Sequence, residues 1–481
     1  MTAIADELST ATPRERLDDV FGRQRAAFNR HRMPSLEQRR ASLLKLEHMI
    51  EENSDALAKA MNADFGTRSG FETEMTEIVG TISMIRYMRR HLRSWMSPRR
   101  RSVSIWYRPA ANRVEPRPLG VVGVVSPWNF PLNLALVPAA TAIAAGNRVM
   151  LKVSEFTPQT STLLKRLVEA NFSDELLYVN DGGGEVAAHF TSLPFDHLFF
   201  TGSTPVGKIV AKAAAENLTP VTLELGGKSP VIIDANYSLD LAASTVAWGK
   251  LYNGGQVCVA PDYVLVPRGQ ERAFAEAAHR AAQSMYPQVA GNPQYTSILN
   301  QRHYDRVSAY VREAEERGVE VVVAEDPEIG RERRQLPLTL LINPPADSTV
   351  MQDEIFGPVL PVIGYDSDEE AIAFVNSRPT PLALYVLSNG RARQQRWLTE
   401  IPSGNAVVND LVVGYLQNDL PFGGLGGSGH GMSHGQEGFD AMSHLRPVMY
   451  QRHILGRTGV QMLYPPYNPV AEVLLKAMRR I

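Results

Sequence analysis

Apolar residues follow two regimes along the chain. From about Pro13 to Trp95 they recur at helical spacing among charges, as Leu43, Leu44, Leu46, Met49 and Ile50, and again as Ile78, Ile82, Ile85 and Met88. That period predicts helices with one buried face. Asn62-Ala-Asp-Phe-Gly66 reads as a loop between them. From Leu119 the pattern changes. Val121-Val-Gly-Val-Val125 is a nearly continuous β-branched run, as expected of a strand covered on both faces. Stretches 149–153, 176–179, 197–200, 221–224 and 230–234 continue the series, with helical patterns such as 159–169 and 206–215 between them.

Alternating strand and helix predicts a parallel, doubly wound α/β sheet. After Pro230 the alternation repeats, with strands at 263–266, 319–323, 338–341, 359–363, 384–387 and 406–408 and helices at 270–285, 304–316 and 368–376. This predicts a second α/β unit. Arg99, Arg100 and Arg101 follow Pro98 and read as a solvated boundary. The alternation in Ser102-Val-Ser-Ile-Trp-Tyr107 predicts an exposed strand used in assembly. From Tyr450 the chain is rich in loops. Tyr464-Pro-Pro-Tyr467 is expected to pack or cap, and 470–480 to form a short basic amphipathic docking helix.

A chain of 481 residues exceeds one ordinary core. Hydrophobic residues at 44% and charged residues at 21% fit a soluble globular protein. The net charge of −2 gives no global pull toward nucleic acid or an acidic membrane. The most apolar run, 132–145, is broken by Asn133 and Pro138 and is too short to span a bilayer. Residues 1–7 carry acids where a signal peptide needs a basic and then an apolar stretch. One cysteine excludes an intrachain disulfide and a thiolate metal cage, and fits a reducing, cytoplasmic setting.

That cysteine, Cys258, lies in Gly254-Gly-Gln-Val-Cys-Val-Ala-Pro261. It is either a small buried hydrophobe or a nucleophile, and the glycines beside it favour close approach of a ligand. Glu224 ends a strand just before Gly226-Gly227, where parallel sheets place ligands, and partial burial there would suit it to take a proton from water. Asn129, in Trp128-Asn-Phe-Pro131, offers N–H donors to a developing oxyanion, or else satisfies turn backbone. Lys152 and Glu155 follow a strand, within reach of ribose hydroxyls. Gly202-Ser-Thr-Pro-Val-Gly-Lys208 has the context of a phosphate-binding turn, but Ile209 stands where a P-loop needs Ser or Thr for Mg²⁺. Gly424-Leu-Gly-Gly-Ser-Gly429 fits the dinucleotide fingerprint by letter but reads as a flexible loop. His430 and His434, four apart in the same loop, lack the helix and the further ligand of a zinc site, so no metal is expected.

Taken together, Pro127-Trp-Asn-Phe-Pro131, Phe200-Thr-Gly-Ser203, Leu223-Glu-Leu-Gly-Gly-Lys-Ser-Pro230, the Gly-Gln-x-Cys at Cys258, Glu354-Ile-Phe-Gly-Pro358 and Pro421-Phe-Gly-Gly424 resemble the aldehyde dehydrogenase superfamily across nearly the whole chain. Ala260-Pro-Asp-Tyr263, Leu218-Thr-Pro-Val221 and Pro381-Leu-Ala-Leu384 are similar to its class-3 branch. Ala63-Asp-Phe-Gly-Thr-Arg-Ser69 and 120–128 lean toward the coniferyl-aldehyde dehydrogenases within it.

The resemblance implies a Rossmann-type NAD-binding domain (1–98 and 116–226), an α/β catalytic thiol domain (227–420), oligomerisation strands (99–115 and 444–452) and a C-terminal tail (453–481). It makes Cys258 the nucleophile, Glu224 the general base, and Asn129 with the Cys258 N–H the oxyanion hole. Lys152 and Glu155 would hold the adenosine ribose, and Gly202 and Ser203 the pyrophosphate. Glu354 and Phe356 would position the nicotinamide ribose and ring, with Trp128, Gly207 and Leu225 completing the cofactor site. Val153 replaces the family's usual proline between Lys152 and Ser154, which frees φ in the ribose turn. Glu155 would repel a 2′-phosphate, so NAD is expected, with NADP as the second possibility. The implied reaction oxidises an aldehyde to the acid through a cysteine thioester in a homodimer. Coniferyl or another aromatic aldehyde leads, and a medium- or long-chain aldehyde is the alternative. A non-redox thiol hydrolase, a CoA-acylating enzyme and an inactive nucleotide binder stay open as other classes.

Overall fold

The computed structural model describes residues 12–323, 327–453 and 458–479. The expectations for residues 1–7 and for Arg480 fall outside this range. In chain order the strands are β1 (Arg99–Arg101), β2 (Ala111–Pro118), β3 (Val121–Val125), β4 (Arg148–Lys152), β5 (Leu177–Asn180), β6 (His197–Thr201), β7 (Val221–Glu224), β8 (Pro230–Ile233), β9 (Tyr263–Pro267), β10 (Glu320–Val323), β11 (Thr339–Ile342), β12 (Val359–Tyr365), β13 (Ala383–Leu387), β14 (Asn405–Val408), β15 (Gly429–His430) and β16 (Ser443–Tyr450).

They form three sheets. The first has the order β15-β7-β6-β3-β4-β5. Its five main strands are parallel, and β15 joins antiparallel at the edge. β3 is flanked by β4 and β6, so the strand order reverses there and leaves a crevice at the carboxyl ends of β3 and β6. This is the doubly wound, Rossmann-type arrangement. Its central helix, Asn133–Ala145, is buried at every residue, as its apolar sequence requires. The second sheet runs β10-β11-β12-β9-β8-β13-β14, parallel except for β10. The chain passes from β7 of the first sheet to β8 of the second through residues 225–229, so Glu224 stands at the junction of the two units.

Three expectations change. The third sheet pairs β1 and β16 with β2, within one chain. The arginine run is therefore itself a strand, and residues 102–107, expected as one, form part of the connection to β2, with a 3₁₀ turn at Ile105–Tyr107. Pairing of Arg99 with Val114 and of Arg101 with Asn112 decides this, not the alternation of side chains. β2 also runs to Pro118, past residue 115. Second, the helix Ser54–Phe65 continues through Asn62, because Leu57, Met61 and Phe65 are buried at helical spacing; Gly66 ends it at φ +82°. Third, residues 424–429 are no free loop. Gly426–Ser428 forms a 3₁₀ turn, and Gly429 pairs with Glu224 of β7. In the tail, Pro469–Met478 is helical, with Ala471 buried and Tyr464, Tyr467, Val470, Val473 and Leu475 exposed. Among the described residues, no helix is long and apolar enough to cross a membrane.

Candidate active site

Cys258 follows the helix Leu239–Leu251 and a tight turn in which Asn253, Gly254 and Gly255 all take positive φ. Gly255 is required twice over. Its φ is +77°, and a Cβ there would come within 2.5 Å of the Gly357 carbonyl carbon. The turn thereby brings the Cys258 segment against Glu354-Ile-Phe-Gly357. Three cavities converge on Cys258. One is a cleft of about 260 Å³ opening at the ends of β3 and β6, lined by Trp128, Asn129, Gly202, Ser203, Glu224, Leu225, Glu354 and Phe356, among others. The second is an apolar funnel bounded by Met75, Phe130, Trp248, Tyr252, Val412 and Tyr415. The third is a small chamber behind the sulfur that reaches Glu224, Ser433 and His434.

Burial, then the nearby Glu354 and Glu224 carboxylates, pushes the Cys258 thiol up to about 12, against the backbone N–H groups of Cys258 and Val259, which favour the thiolate. Burial raises Glu224 well above the usual carboxylate range, the nearby Ser433 side chain lowering it in part, and neither carboxyl oxygen has a partner with hydrogen-bond geometry. A carboxyl with a raised pKa and free lone pairs is suited to accept a proton near neutral pH.

Asn129 sits between the two units. Its side-chain Nδ2 donates to the Gln256 carbonyl at 3.1 Å, which leaves a second N–H, and the residue lines the cleft beside Cys258. Its own carbonyl accepts from Arg68 Nη1 at 3.0 Å and from Asn253 Nδ2 at 3.1 Å. Arg68 in turn donates to Glu77 at 3.1 Å, with both side chains essentially excluded from water. Glu77 also accepts from the backbone N–H groups of Leu132 and Asn133, at the start of the central helix. Five residues earlier, Glu72 accepts from the N–H of Asn253 and from Thr296. Glu77 lies in a π-helical stretch, Thr73–Gly80, and Glu72 directly precedes it. The wider winding of that stretch brings residues five apart toward one side.

The cleft fits a dinucleotide. β6 runs into the helix Thr204–Ala215 through Gly202 and Ser203, and Ser203 makes no side-chain cap, so the first backbone N–H groups remain for an anion. Gly207 lies in close contact with Leu225. Lys152, at the end of β4, is buried and held by the Val153 carbonyl at 2.6 Å and by Glu155 at 3.3 Å, with Glu155 itself exposed. Glu354 is half-buried, its inaccessible Oε1 has no partner, and desolvation and the Asp262 charge push it up to about 8. Phe356, at φ +48°, meets Trp128 edge to face at 5.4 Å.

Every site residue expected from the sequence except Lys152, Glu155 and Gly207 lines this cleft; Lys152 ends β4, Glu155 lies in the turn after it, and Gly207 is on the helix Thr204–Ala215. Sequence reasoning missed His303 and Arg306, on one face of the helix Gln301–Glu316 and lining the cleft. It also missed Arg68, Glu72 and Glu77. His430 and His434 diverge, one exposed and the other buried, and among the described residues no cluster of His, Cys, Asp and Glu is placed to hold a metal. His434 has φ +65° and ψ 162°, a conformation that costs a non-glycine residue on the order of 1–3 kcal/mol.

Residues 7–448 match the Aldehyde dehydrogenase family. A probable coniferyl aldehyde dehydrogenase of Pseudomonas aeruginosa is 45% identical over 461 residues, 95% of each chain. The substrate-bound structure of Staphylococcus aureus AldH superposes with a TM-score of 0.91 at 35% identity, over 96% of this chain and 99% of that one. An aldehyde dehydrogenase of Mycobacterium tuberculosis complexed with NAD⁺ gives a TM-score of 0.82 at 29% identity, over 92% and 91%. With a lone cysteine, an unpartnered carboxyl and an amide donor around one cleft, the chain belongs to the aldehyde dehydrogenase family and is an oxidoreductase that acts on aldehydes with NAD(P) as acceptor.

Proposed function

We propose that the chain oxidises an aromatic aldehyde of the coniferyl type to its carboxylic acid with NAD, through a thioester on Cys258. The observation that carries this is the convergence of the apolar funnel, the dinucleotide cleft and the Glu224 chamber on one sulfur. Phe130, Trp248, Tyr252 and Tyr415 give the funnel flat aromatic walls suited to an aryl ring. The name of the Pseudomonas relative supports the same substrate class. Thr76 and Tyr252 bond to one another, so the funnel wall is apolar, which also favours the second reading, a medium- or long-chain aldehyde.

Cys258 attacks the aldehyde carbon. The second Asn129 N–H and the Cys258 backbone N–H stabilise the oxyanion; losing one such donor costs about 10²–10³ in rate. Lys152 and Glu155 would hold the adenosine ribose, Gly202 and Ser203 the pyrophosphate beside Gly207 and Leu225, and Glu354, Phe356 and Trp128 the nicotinamide end. The nicotinamide supplies the hydride acceptor when bound. Glu224 then takes a proton from the water that hydrolyses the thioester. Glu155 carries the negative charge that disfavours a 2′-phosphate.

Residues 1–98 with 116–226 serve the cofactor, 227–420 the thiol chemistry, and 99–115 with 444–452 assembly. β16 is an edge strand with Leu445, Met449 and Tyr450 exposed, and β14 is the edge of the second sheet, which supports a homodimer joined at open strands. A single cysteine supports a cytoplasmic setting. The test is an aldehyde panel with NAD and NADP, comparing cinnamyl, benzaldehyde and long aliphatic substrates, on wild type and Cys258→Ala. The cinnamyl class with NAD should give the highest kcat/KM, and Cys258→Ala should form no NADH. A clear aliphatic or NADP preference, or turnover by Cys258→Ala, refutes the corresponding part.

A further inference from the structure

The chamber behind Cys258 has a volume of about 30 Å³. Glu224, Thr201, Ser433 and His434 supply its polar wall. Glu224 is 5% exposed and His434 3%. Both carboxyl oxygens of Glu224, Oγ1 of Thr201 and Nε2 of His434 lack hydrogen-bond partners. Buried polar atoms in proteins are nearly always paired, so four free ones on one small cavity point to a shared polar occupant. A water needs roughly 10–15 Å³ and two to four partners, and the chamber offers both.

His434 is held for this purpose. Its Nδ1 pairs with the Ser433 hydroxyl at 3.0 Å, and Tyr415 and Phe422 meet its ring edge to face at 4.8 and 5.7 Å. Its backbone takes the positive-φ conformation described above, which orients the imidazole at the expense of strain. A ring needed for packing alone would require neither the strain nor a free nitrogen.

We propose that His434 is a positioning residue for hydrolysis, its Nε2 holding the attacking water between Glu224 and the Cys258 thioester, with Thr201 as a further anchor. This rests on the reading of Glu224 as the base. The water oxygen bonds to the thioester carbon and its proton passes to Glu224. The C–S bond then breaks with its electron pair returning to sulfur, which releases the acid and the Cys258 thiolate. Nε2 bonds the water as donor or acceptor, according to the direction of the Ser433 hydroxyl. Burial pushes the imidazole down to about 4, so the ring stays neutral while it does so.

The experiment is stopped-flow NADH formation from cinnamaldehyde and NAD by wild type, His434→Phe, His434→Gln, Ser433→Ala and Glu224→Gln, with and without hydroxylamine. Hydroxylamine attacks the thioester directly and needs no positioned water; because it also condenses with free aldehyde, it is loaded with the enzyme and meets the aldehyde only at mixing. His434→Phe should give a burst approaching one NADH per active site, then a steady state slower by about tenfold or more. Hydroxylamine should restore much of the lost rate, His434→Gln should recover part of it, and Ser433→Ala should show a milder form of the same defect. An unchanged steady state in His434→Phe and Ser433→Ala overturns the proposal. So does loss of the burst, or failure of hydroxylamine to help, in variants that keep the wild-type melting midpoint. If His434→Phe does not fold, Ser433→Ala and His434→Gln decide by the same readouts. Fast hydrolysis in Glu224→Gln refutes the base assignment; slow hydrolysis there with normal His434 and Ser433 variants refutes the water-positioning role alone.

Discussion

Splitting the buried pair of Arg68 and Glu77 is expected to cost more than removing it. Their side chains are 1% and 0% exposed. Glu77→Gln leaves the Arg68 guanidinium buried with only neutral acceptors, the Asn129 carbonyl and the new amide oxygen, and a guanidinium does not shed its charge. Breaking a buried pair in this way costs about 3–5 kcal/mol. Arg68→Met should cost less, about 2–3 kcal/mol, because burial already raises Glu77 and lets it take up a proton, and because Leu132 and Asn133 still donate to it. The Met side chain also keeps apolar contact where the guanidinium lies over the Phe65 and Phe130 rings, at 4.5 and 5.4 Å. The double variant should cost less than the sum of the two by about 2 kcal/mol or more. Unfolding entropy of about 2.1 cal/mol/K per residue over 481 residues gives about 1 kcal/mol per degree, so Glu77→Gln should lower the melting midpoint by about 3–5 °C. Calorimetry on the four proteins measures the cycle. Steady-state kinetics should show a lower kcat in both single variants, because Asn129 loses part of its support. Additive losses, or a Glu77→Gln cost below about 1 kcal/mol, would refute a structural ion pair here.

Three other outcomes follow from the buried groups and the open edges. Without cofactor, iodoacetamide should label Cys258 slowly at pH 8, with a rate rising about tenfold per pH unit and no plateau below about pH 10; Glu354→Gln should speed labelling at fixed pH, and a wild-type plateau near pH 8.5 would contradict the raised thiol. Burial, opposed by Thr296 and Asn253, raises Glu72 from 4.5 to about 7, so the folded state holds this proton more tightly than the unfolded chain. Stability is therefore lost as pH rises from about 4.5 through about 7, by roughly 3 kcal/mol. Glu72→Gln, which keeps an acceptor oxygen, should flatten the melting midpoint between pH 5 and pH 8, and an unchanged slope would exclude Glu72 as its source. Leu445→Lys with Met449→Lys should halve the mass seen by light scattering, and a monomeric wild type or a dimeric double variant would argue against assembly through β16.

The strands of both main sheets were legible because parallel strands covered on each face must be apolar throughout, as at 121–125 and 359–363. Cys258, Glu224 and Asn129 stood out for local reasons: rarity, a strand end before two glycines, and a tight aromatic turn. Arg68, Glu72 and Glu77 did not. Charged residues in a helical pattern resemble a solvated face, and only partners distant in sequence, Asn129, Asn253 and the start of the central helix, make them buried. His434 was hidden for a similar reason, since a histidine in a glycine-rich loop shows neither its burial nor the chamber it shares with Glu224. The strand at Arg99–Arg101 was misplaced because its identity depends on the partner β2, and side-chain alternation favoured 102–107.

The π-helical stretch Thr73–Gly80 has a consequence for how this enzyme can change. Met75 and Thr76 line the aldehyde funnel, and Glu77, next in sequence, supports Asn129 through Arg68. Under the proposed roles, substrate fit and oxyanion geometry share one turn of backbone. Substitutions there made to admit a different aldehyde will disturb turnover even for substrates that fit, so selection or engineering along this stretch trades scope against speed. Val412, Val413 and Leu416 also line the funnel and carry no polar side chain; Tyr415 between them is the one that reaches His434 and Asn133. New substrate ranges are therefore more accessible to the enzyme from those three positions.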